Sequence, residues 1–194
     1  AHAHIAQHGR AMSMVDLGEC ATSDEMLVRL AERAGAMDAG DQPGWVLAHA
    51  ARPEAWDEPD WPALDELDQA TGDRPCLAWC FDYHALMVNS AALGAIGLGV
   101  GAPNPEGGII QRGADARPTG LLLENPAGIA WARVPAPTSE QRRAHVRAAL
   151  AALARLGCTH LHDLKSPSLL VPVLDLLHDA RQLACGVPLP PPLP

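Results

Sequence analysis

Helical and strand-like segments alternate over the last third of the chain, and this alternation limits the fold more than any other feature. A capping-box pattern at 138–141 begins a helix with apolar residues at helical spacing, and Gly157 follows where that helix should end. Residues 158–163, CTHLHD, predict a strand, and a further helix from Ser166 and a strand at 183–187 are predicted next. Helices and strands in this order with short joints predict a parallel α/β sheet or barrel.

Residues 44–130 have a different character. Short strand candidates are separated there by joints rich in glycine and proline, and the last two candidates predict a hairpin across the ADARP turn. Another capping-box pattern, at 22–25, predicts an earlier helix, and Asn89 and Ser90 are expected to cap a short helix over 91–96. We therefore interpret 44–130 as a mainly β insertion between the first and second strand–helix units. Its strand candidates are 45–49, 75–81, 108–111 and 121–124.

Composition and charge exclude several classes of partner. The net charge is −9 and Lys and Arg nowhere cluster, so neither nucleic acid nor an anionic membrane surface is an expected partner. Hydrophobic residues make up 48% of the chain, enough for a core, but no apolar run approaches the roughly 18 residues of a spanning helix. The five cysteines are scattered and odd in number, which favours reduced thiols in a cytoplasmic protein.

Two H-x-H pairs are candidate metal ligands. Residues i and i+2 of a strand point to the same face, so His2 and His4 could share one cation, and so could His160 and His162. Nine histidines in 194 residues also make a chance H-x-H pair common. Spacing alone does not decide whether either pair binds a metal.

Longer stretches carry a resemblance that covers nearly the whole chain. They are 43–62, 67–93, 103–110, 118–124 and 157–163, and they include the motifs DRPCLAWCFDYHALMVNS, PTGLLLE and GCTHLHD. Taken in this order, these stretches resemble the N-substituted formamide deformylase-like branch of the metal-dependent amidohydrolase superfamily. Two positions depart from the family pattern: Tyr83 replaces a glycine before a histidine, and the usual glycine before Trp56 is absent.

The resemblance implies a partial TIM-like (β/α) barrel over residues 1–194, holding the first two to three strand–helix units and the insertion. A complete eightfold barrel needs about 250 residues. The chain is therefore expected to be a fragment that begins near the end of the first barrel strand and stops near the third.

The same resemblance implies site residues. His2 and His4 match the metal-ligating H-x-H of the family, and Glu124 matches an acidic residue that resembles a bridging ligand. His84 matches a histidine that points into the substrate cleft and is the predicted catalytic residue. The alternative for Glu124 is an exposed glutamate at a strand end, and the alternative for His84 is a structural histidine. Lys165 is a rival to Glu124, since related enzymes bridge two metals with a carboxylated lysine.

The implied activity is metal-assisted hydrolysis of a carbon–nitrogen bond in a small-molecule amide or formamide. The expected cofactor is a divalent metal, Zn²⁺ by preference, which polarises the carbonyl and activates water. The resemblance also allows a homo-oligomer of the full-length protein. The alternative hypothesis is a non-catalytic remnant of such an enzyme, with a structural role or weak metal binding only.

Overall fold

The computed structural model describes residues 2–37, 44–163 and 173–174. Lys165 and the elements predicted after it lie outside the described residues, apart from positions 173–174. The strand predicted at 183–187 is therefore not part of the fold described below.

The chain forms two units. One consists of Met14–Pro135, and the other combines the residues on either side of it, from 2–13 and from position 136 onwards. The described residues of the second-named unit include the helices α1 (Ile5–Ala11) and α6 (Ser139–Arg155). The described part of the first-named unit, which omits 38–43, has a short 3-10 turn at Pro53–Ala55 and the following helices and strands: β1 (Val15–Asp16), α2 (Ser23–Gly35), β2 (Val46–Ala51), α3 (Leu64–Thr71), β3 (Cys76–Cys80), β4 (Ala85–Val88), α4 (Ser90–Ile96), β5 (Gly108–Arg112), β6 (Pro118–Glu124) and α5 (Asn125–Arg133).

The six strands of unit 14–135 form one open mixed sheet in the order β1-β2-β3-β4-β6-β5. β1, β2 and β3 are parallel neighbours, whereas β4 is antiparallel to both β3 and β6. Two antiparallel steps restore the original direction, so β6 runs the same way as β1, β2 and β3. The carboxyl ends of these four strands therefore lie at one edge of the sheet.

Both faces of this sheet are covered. All five residues of β3 are buried, and alternate residues point to opposite faces. Leu77 and Trp79 belong to a core with residues of α4 and α5, whereas Cys76 and Ala78 belong to a core with residues of α2 and α3. A strand buried on both faces is an apolar run, which is why CLAWC could be predicted as a strand.

Local signals predicted several elements correctly. The hairpin across the ADARP turn is confirmed, with β5 and β6 antiparallel and Arg112 opposite Pro118. Of the two expected cap residues of α4, Asn89 is the N-cap, and its side chain accepts a hydrogen bond from the Ala92 N–H, whereas Ser90 is the first residue of the helix. The predicted capping box at Thr138 is present at the start of α6.

Four helices or strands of this unit were not predicted: β1, β4, α3 and α5. β4 has only four residues, ALMV, and an apolar run that short has no diagnostic period. Its strand character comes from pairing on both sides, with β3 and with β6.

The other unit is built on a close contact between α1 and α6. A Cβ added at Gly9 would lie 2.1 Å from the backbone oxygen of His145, so only glycine allows this approach. Ile5 of α1 packs in one core with Val146 and Leu150 of α6 and with Leu161. His2 and His162 form a parallel bridge. The expected parallel alignment of the first strand with CTHLHD is therefore present, as an isolated bridge.

The predicted α/β class is confirmed, and the barrel is not: the sheet is open, and the described residues show no closed barrel. No helix among the described residues is long and apolar enough to cross a membrane. Cys20, Cys76 and Cys80 are buried free thiols, and Cys158 is a partly buried one. Burial raises the pKa of Cys80 to about 11, which makes this thiol a poor nucleophile at neutral pH.

Candidate functional site

His2 and His4 bring their imidazole rings together immediately before α1. Their ring centroids are 4.9 Å apart and the planes are nearly perpendicular, at 85°. Two imidazoles bound to one tetrahedral zinc at about 2.0–2.1 Å would have centroids roughly 5 Å apart. The separation of the two rings therefore fits a shared cation.

His4 has an additional feature that points to a ligand. Its Nδ1 atom is buried and has no hydrogen-bond partner among the described residues. A buried polar atom without a partner is costly, and such atoms are uncommon in folded proteins. An ion bound at this atom would remove that cost, so the residues present fit a metal.

The second H-x-H pair is placed differently. His162 is exposed, and its backbone carbonyl accepts a hydrogen bond from the Ala3 N–H at 3.1 Å. His160 is also exposed, with Nδ1 3.1 Å from the hydroxyl of its neighbour Thr159. The imidazole rings that contact each other are thus those of His2 and His4. His162 takes part through its backbone carbonyl, which bonds to Ala3.

His84 and Glu124 meet at the carboxyl edge of the six-stranded sheet. The Glu124 N–H donates to the His84 carbonyl at 2.8 Å, which extends the β4–β6 pairing by one step. His84 Nδ1 lies 3.0 Å from Oε1 and 3.1 Å from Oε2 of Glu124. The hydrogen bond and the charge of Glu124, with a smaller contribution from Asp82, raise the pKa of His84. The edge therefore carries a histidine that tends to hold a proton.

Backbone strain concentrates at this edge. Ala50, Tyr83 and Glu124 have φ values of 65°, 64° and 61°, in the left-handed region that favours glycine. They lie at the end of β2, in the turn between β3 and β4, and at the end of β6. Non-glycine residues held there cost about 1–3 kcal/mol each and are enriched at functional sites. The strain marks the same edge as His84 and Glu124.

Aromatic side chains flank the His84–Glu124 pair. Phe81 and Tyr83 are 45% and 43% exposed, although the strand before them is fully buried. The guanidinium of Arg52 lies 5.0 Å from the centre of the Phe81 ring, and the Tyr83 ring packs 5.6 Å from Trp79. These contacts fix the rings while leaving apolar surface open to solvent. The edge can therefore contact an apolar group as well as a polar one.

Asp163, the residue after His160-Leu161-His162, was not among the predicted site residues. This carboxylate is fully buried, and Oδ2 accepts a hydrogen bond from the Ile5 N–H at 2.7 Å. The usable signal was an acidic residue directly after an H-x-H pair. Its partner, 158 residues away in sequence, could not be inferred from spacing.

The structure thus places the His2 side chain next to that of His4, and the His84 side chain next to that of Glu124. Within either unit, no group of three or more described His, Cys, Asp or Glu side chains is arranged to hold a metal ion. The expectation that Glu124 shares an ion with His2 and His4 joins residues of two units and stays a prediction. The catalytic role of His84 also stays a prediction, and Lys165 lies outside the described residues.

Comparison with known proteins places the chain among hydrolases. Residues 1–180 match the family model described as the amidohydrolase family. The chain is 32% identical over 139 residues to the putative amidohydrolase YtcJ of Bacillus subtilis (strain 168), covering 72% of this chain and 26% of that protein. It is 32% identical over 131 residues to N-substituted formamide deformylase of Arthrobacter pascens, covering 66% of this chain and 24% of that protein. The chain therefore spans about a quarter of the length of these relatives.

A solved structure supports the fold. The crystal structure of an uncharacterized metal-dependent hydrolase from Pyrococcus horikoshii OT3 superimposes with a TM-score of 0.68 over 97% of this chain and 35% of that protein. The sequence identity is 19%, so this likeness concerns the fold alone.

Proposed function

This chain belongs to the amidohydrolase family, and from that premise we propose that it supplies part of the site of an enzyme that hydrolyses an amide or formamide with the help of a divalent metal. The substrate class follows from the similarity to N-substituted formamide deformylase. We also propose that the chain contributes the first units of a (β/α) barrel, since relatives of this family extend well beyond it.

One observation carries the metal assignment: the perpendicular contact of the His2 and His4 rings, with the buried Nδ1 of His4 lacking a partner among the described residues. His2 and His4 would hold the ion, and neutral imidazole suits zinc among the common divalent ions. A bound cation would supply Lewis-acid polarisation of the substrate carbonyl and an activated water at neutral pH.

His84 keeps its expected catalytic role in this proposal. A histidine whose pKa is raised carries a proton more often at neutral pH, and His84 has such a raised pKa because of Glu124. Its Nδ1 is engaged by that carboxylate, so a proton given up by His84 would leave from Nε2. Glu124 has about four lone-pair sites, and contact with His84 leaves it able to accept a further partner.

Cobalt binding by the 194-residue chain tests the metal assignment, because Co²⁺ reports its coordination by visible absorption. The wild-type chain should bind Co²⁺ and lose it to competing Zn²⁺. His4→Ala should weaken Co²⁺ binding at least about tenfold. Even the loss of a residue that only hydrogen-bonds to a metal ligand typically lowers metal affinity about 10–100-fold. His162→Ala is the matched control, because it removes an exposed imidazole and keeps the backbone bridge.

Two results would count against the proposal. A wild-type chain that binds no Co²⁺ would favour the non-catalytic remnant. Equal losses for His162→Ala and His4→Ala would assign the ion to both H-x-H pairs or to neither, and the specific role of His2 and His4 would be wrong.

A further inference from the structure

The carboxylate of Asp163 is the feature that the proposed function has not used. Among the buried polar and charged residues that the structure describes, Asp163 is the acidic one, and its exposure is 0%. Removing a carboxylate from water is costly unless charged or hydrogen-bonding partners replace the water. A buried aspartate at this place therefore needs a structural or functional reason.

The Asp163 carboxylate accepts a hydrogen bond from the first N–H group of α1, which has no acceptor within the helix. The first N–H groups of a helix have no partner within the helix, and a side chain at the N-cap usually accepts from one of them. The N-cap of α1 is His4, which makes no such bond, and the first turn contains no acidic residue. Asp163 Oδ2 accepts instead from the Ile5 N–H at 2.7 Å, a distance typical of a hydrogen bond to a charged group.

The backbone on both sides of His4 is therefore held by hydrogen bonds to His162 and Asp163. Before His4, the Ala3 N–H donates to the His162 carbonyl at 3.1 Å, and His2 bridges His162 in parallel. After His4, the Ile5 N–H donates to Asp163. The orientation of the His4 ring therefore depends on its backbone, because its buried Nδ1 has no partner among the described residues.

We propose that Asp163 is a positioning residue for the metal-binding pair: through the Ile5 N–H it fixes the backbone of His4 and keeps the His4 ring against that of His2. This inference rests on the proposed function, since it assigns the pair to a metal. Asp163 acts on the ion through His4 and is not itself assigned as a ligand.

The test uses the 194-residue chain and three variants. Asp163→Ala removes the acceptor, Asp163→Asn keeps a side-chain oxygen that can accept from the Ile5 N–H, and Glu140→Ala removes an exposed carboxylate of the same unit as a control. Two quantities are measured: Co²⁺ affinity with its visible spectrum, and hydrogen exchange of the Ile5 amide by NMR. In the absence of metal, the exchange rate reports how often the Ile5 N–H loses its acceptor and opens to solvent.

Asp163→Ala should weaken Co²⁺ binding by about 10–100-fold and speed exchange of the Ile5 amide. Asp163→Asn should restore most of the affinity and the wild-type spectrum, and Glu140→Ala should change neither quantity. A purely structural cap would move the exchange rate and leave the spectrum and affinity unchanged. If Asp163→Ala does not fold, Asp163→Asn is compared with wild type instead. A loss of Co²⁺ affinity in Asp163→Asn without a change in the exchange rate of the Ile5 amide would contradict the inference.

The other outcomes separate this inference from the proposed function. No Co²⁺ binding by the wild-type chain overturns the proposed function, and the positioning role is lost with it. Binding by wild type with equal affinity for Asp163→Ala overturns the positioning role alone.

Discussion

His84 Nδ1 lies within hydrogen-bond distance of both carboxylate oxygens of Glu124, at 3.0 and 3.1 Å. The two residues are 40 positions apart in sequence and meet because β4 and β6 pair in antiparallel register. The side chains are 67% and 58% exposed, so solvent and salt screen the attraction between them. The pair is therefore expected to control protonation of His84 more than stability of the fold.

The pKa of His84 should depend on Glu124. Because the folded-state pKa is raised, any stabilisation from the pair is complete below the ordinary histidine value of about 6.5 and is lost as the pH rises through the raised value. Glu124→Gln should lower the pKa of His84 in an NMR titration, and high salt should act in the same direction. Asp57→Asn, which removes an exposed carboxylate elsewhere in the same unit, should leave it unchanged. An unaltered titration in Glu124→Gln would contradict the assignment of the cause.

Gly9→Ala should destabilise the unit built on α1 and α6. The new methyl group would lie 2.1 Å from the backbone oxygen of His145, and a backbone atom cannot move aside without separating the helices. We expect the free energy of unfolding in urea to fall by roughly 1–3 kcal/mol, as for overpacked cores.

Gly128→Ala is the matched control for that change. Gly128 lies in α5 with open space at its Cβ position, so alanine there should be neutral or stabilising by up to about 1 kcal/mol. Equal effects of the two substitutions would show that helix propensity, and not the close approach at Gly9, decides the result.

Asn89→Ala should be among the most destabilising single changes in the unit that contains the sheet. The Asn89 side chain is fully buried, its Oδ1 accepts from the Cys76 and Ala92 N–H groups, and its Nδ2 donates to Thr71 and Arg74. Losing four bonds of about 1 kcal/mol each, and leaving buried partners unpaired, should cost roughly 3 kcal/mol or more. Thermal and urea unfolding of the variant measure this cost.

Ser90→Ala is the comparison for the Asn89 variant. The Ser90 hydroxyl donates to Asp68 at 2.7 Å in an exposed position, where water replaces a lost partner. Its loss should cost less than about 1 kcal/mol. A cost as large as that of Asn89→Ala would show that burial of the Asn89 bonds is not what makes them important.

The 194-residue chain, purified alone with added Zn²⁺, should not hydrolyse N-acyl or N-formyl amines above background. A catalytic zinc site typically uses three protein ligands and a water, and the chain spans about a quarter of the relatives it resembles. The proposed pair, His2 and His4, supplies two of those three ligands. Liquid chromatography of the released amine measures the activity, and clear zinc-dependent turnover would show a complete site within this chain.

Local sequence was sufficient wherever a few neighbouring residues decide the structure. The Thr138 capping box, the Asn89 cap and the β5–β6 hairpin each depend on hydrogen bonds or turns within a few residues. The H-x-H pattern and the family resemblance also singled out His2 and His4, whose role as metal ligands stays a prediction. The caps and the hairpin could be predicted because the residues that form them are neighbours in sequence.

Contacts between distant segments were decided by the tertiary structure. β4 is a strand because β3 and β6 pair with it on either side, and its own four residues do not require that conformation. The same pairing brings His84 to Glu124, and the bridge of His2 with His162 accompanies the bond from Ile5 to Asp163. Sequence determined which residues could act as ligands, caps and acids. Tertiary structure decided which of them meet, because a buried polar group takes its partner from whatever backbone the packing of the core brings within reach.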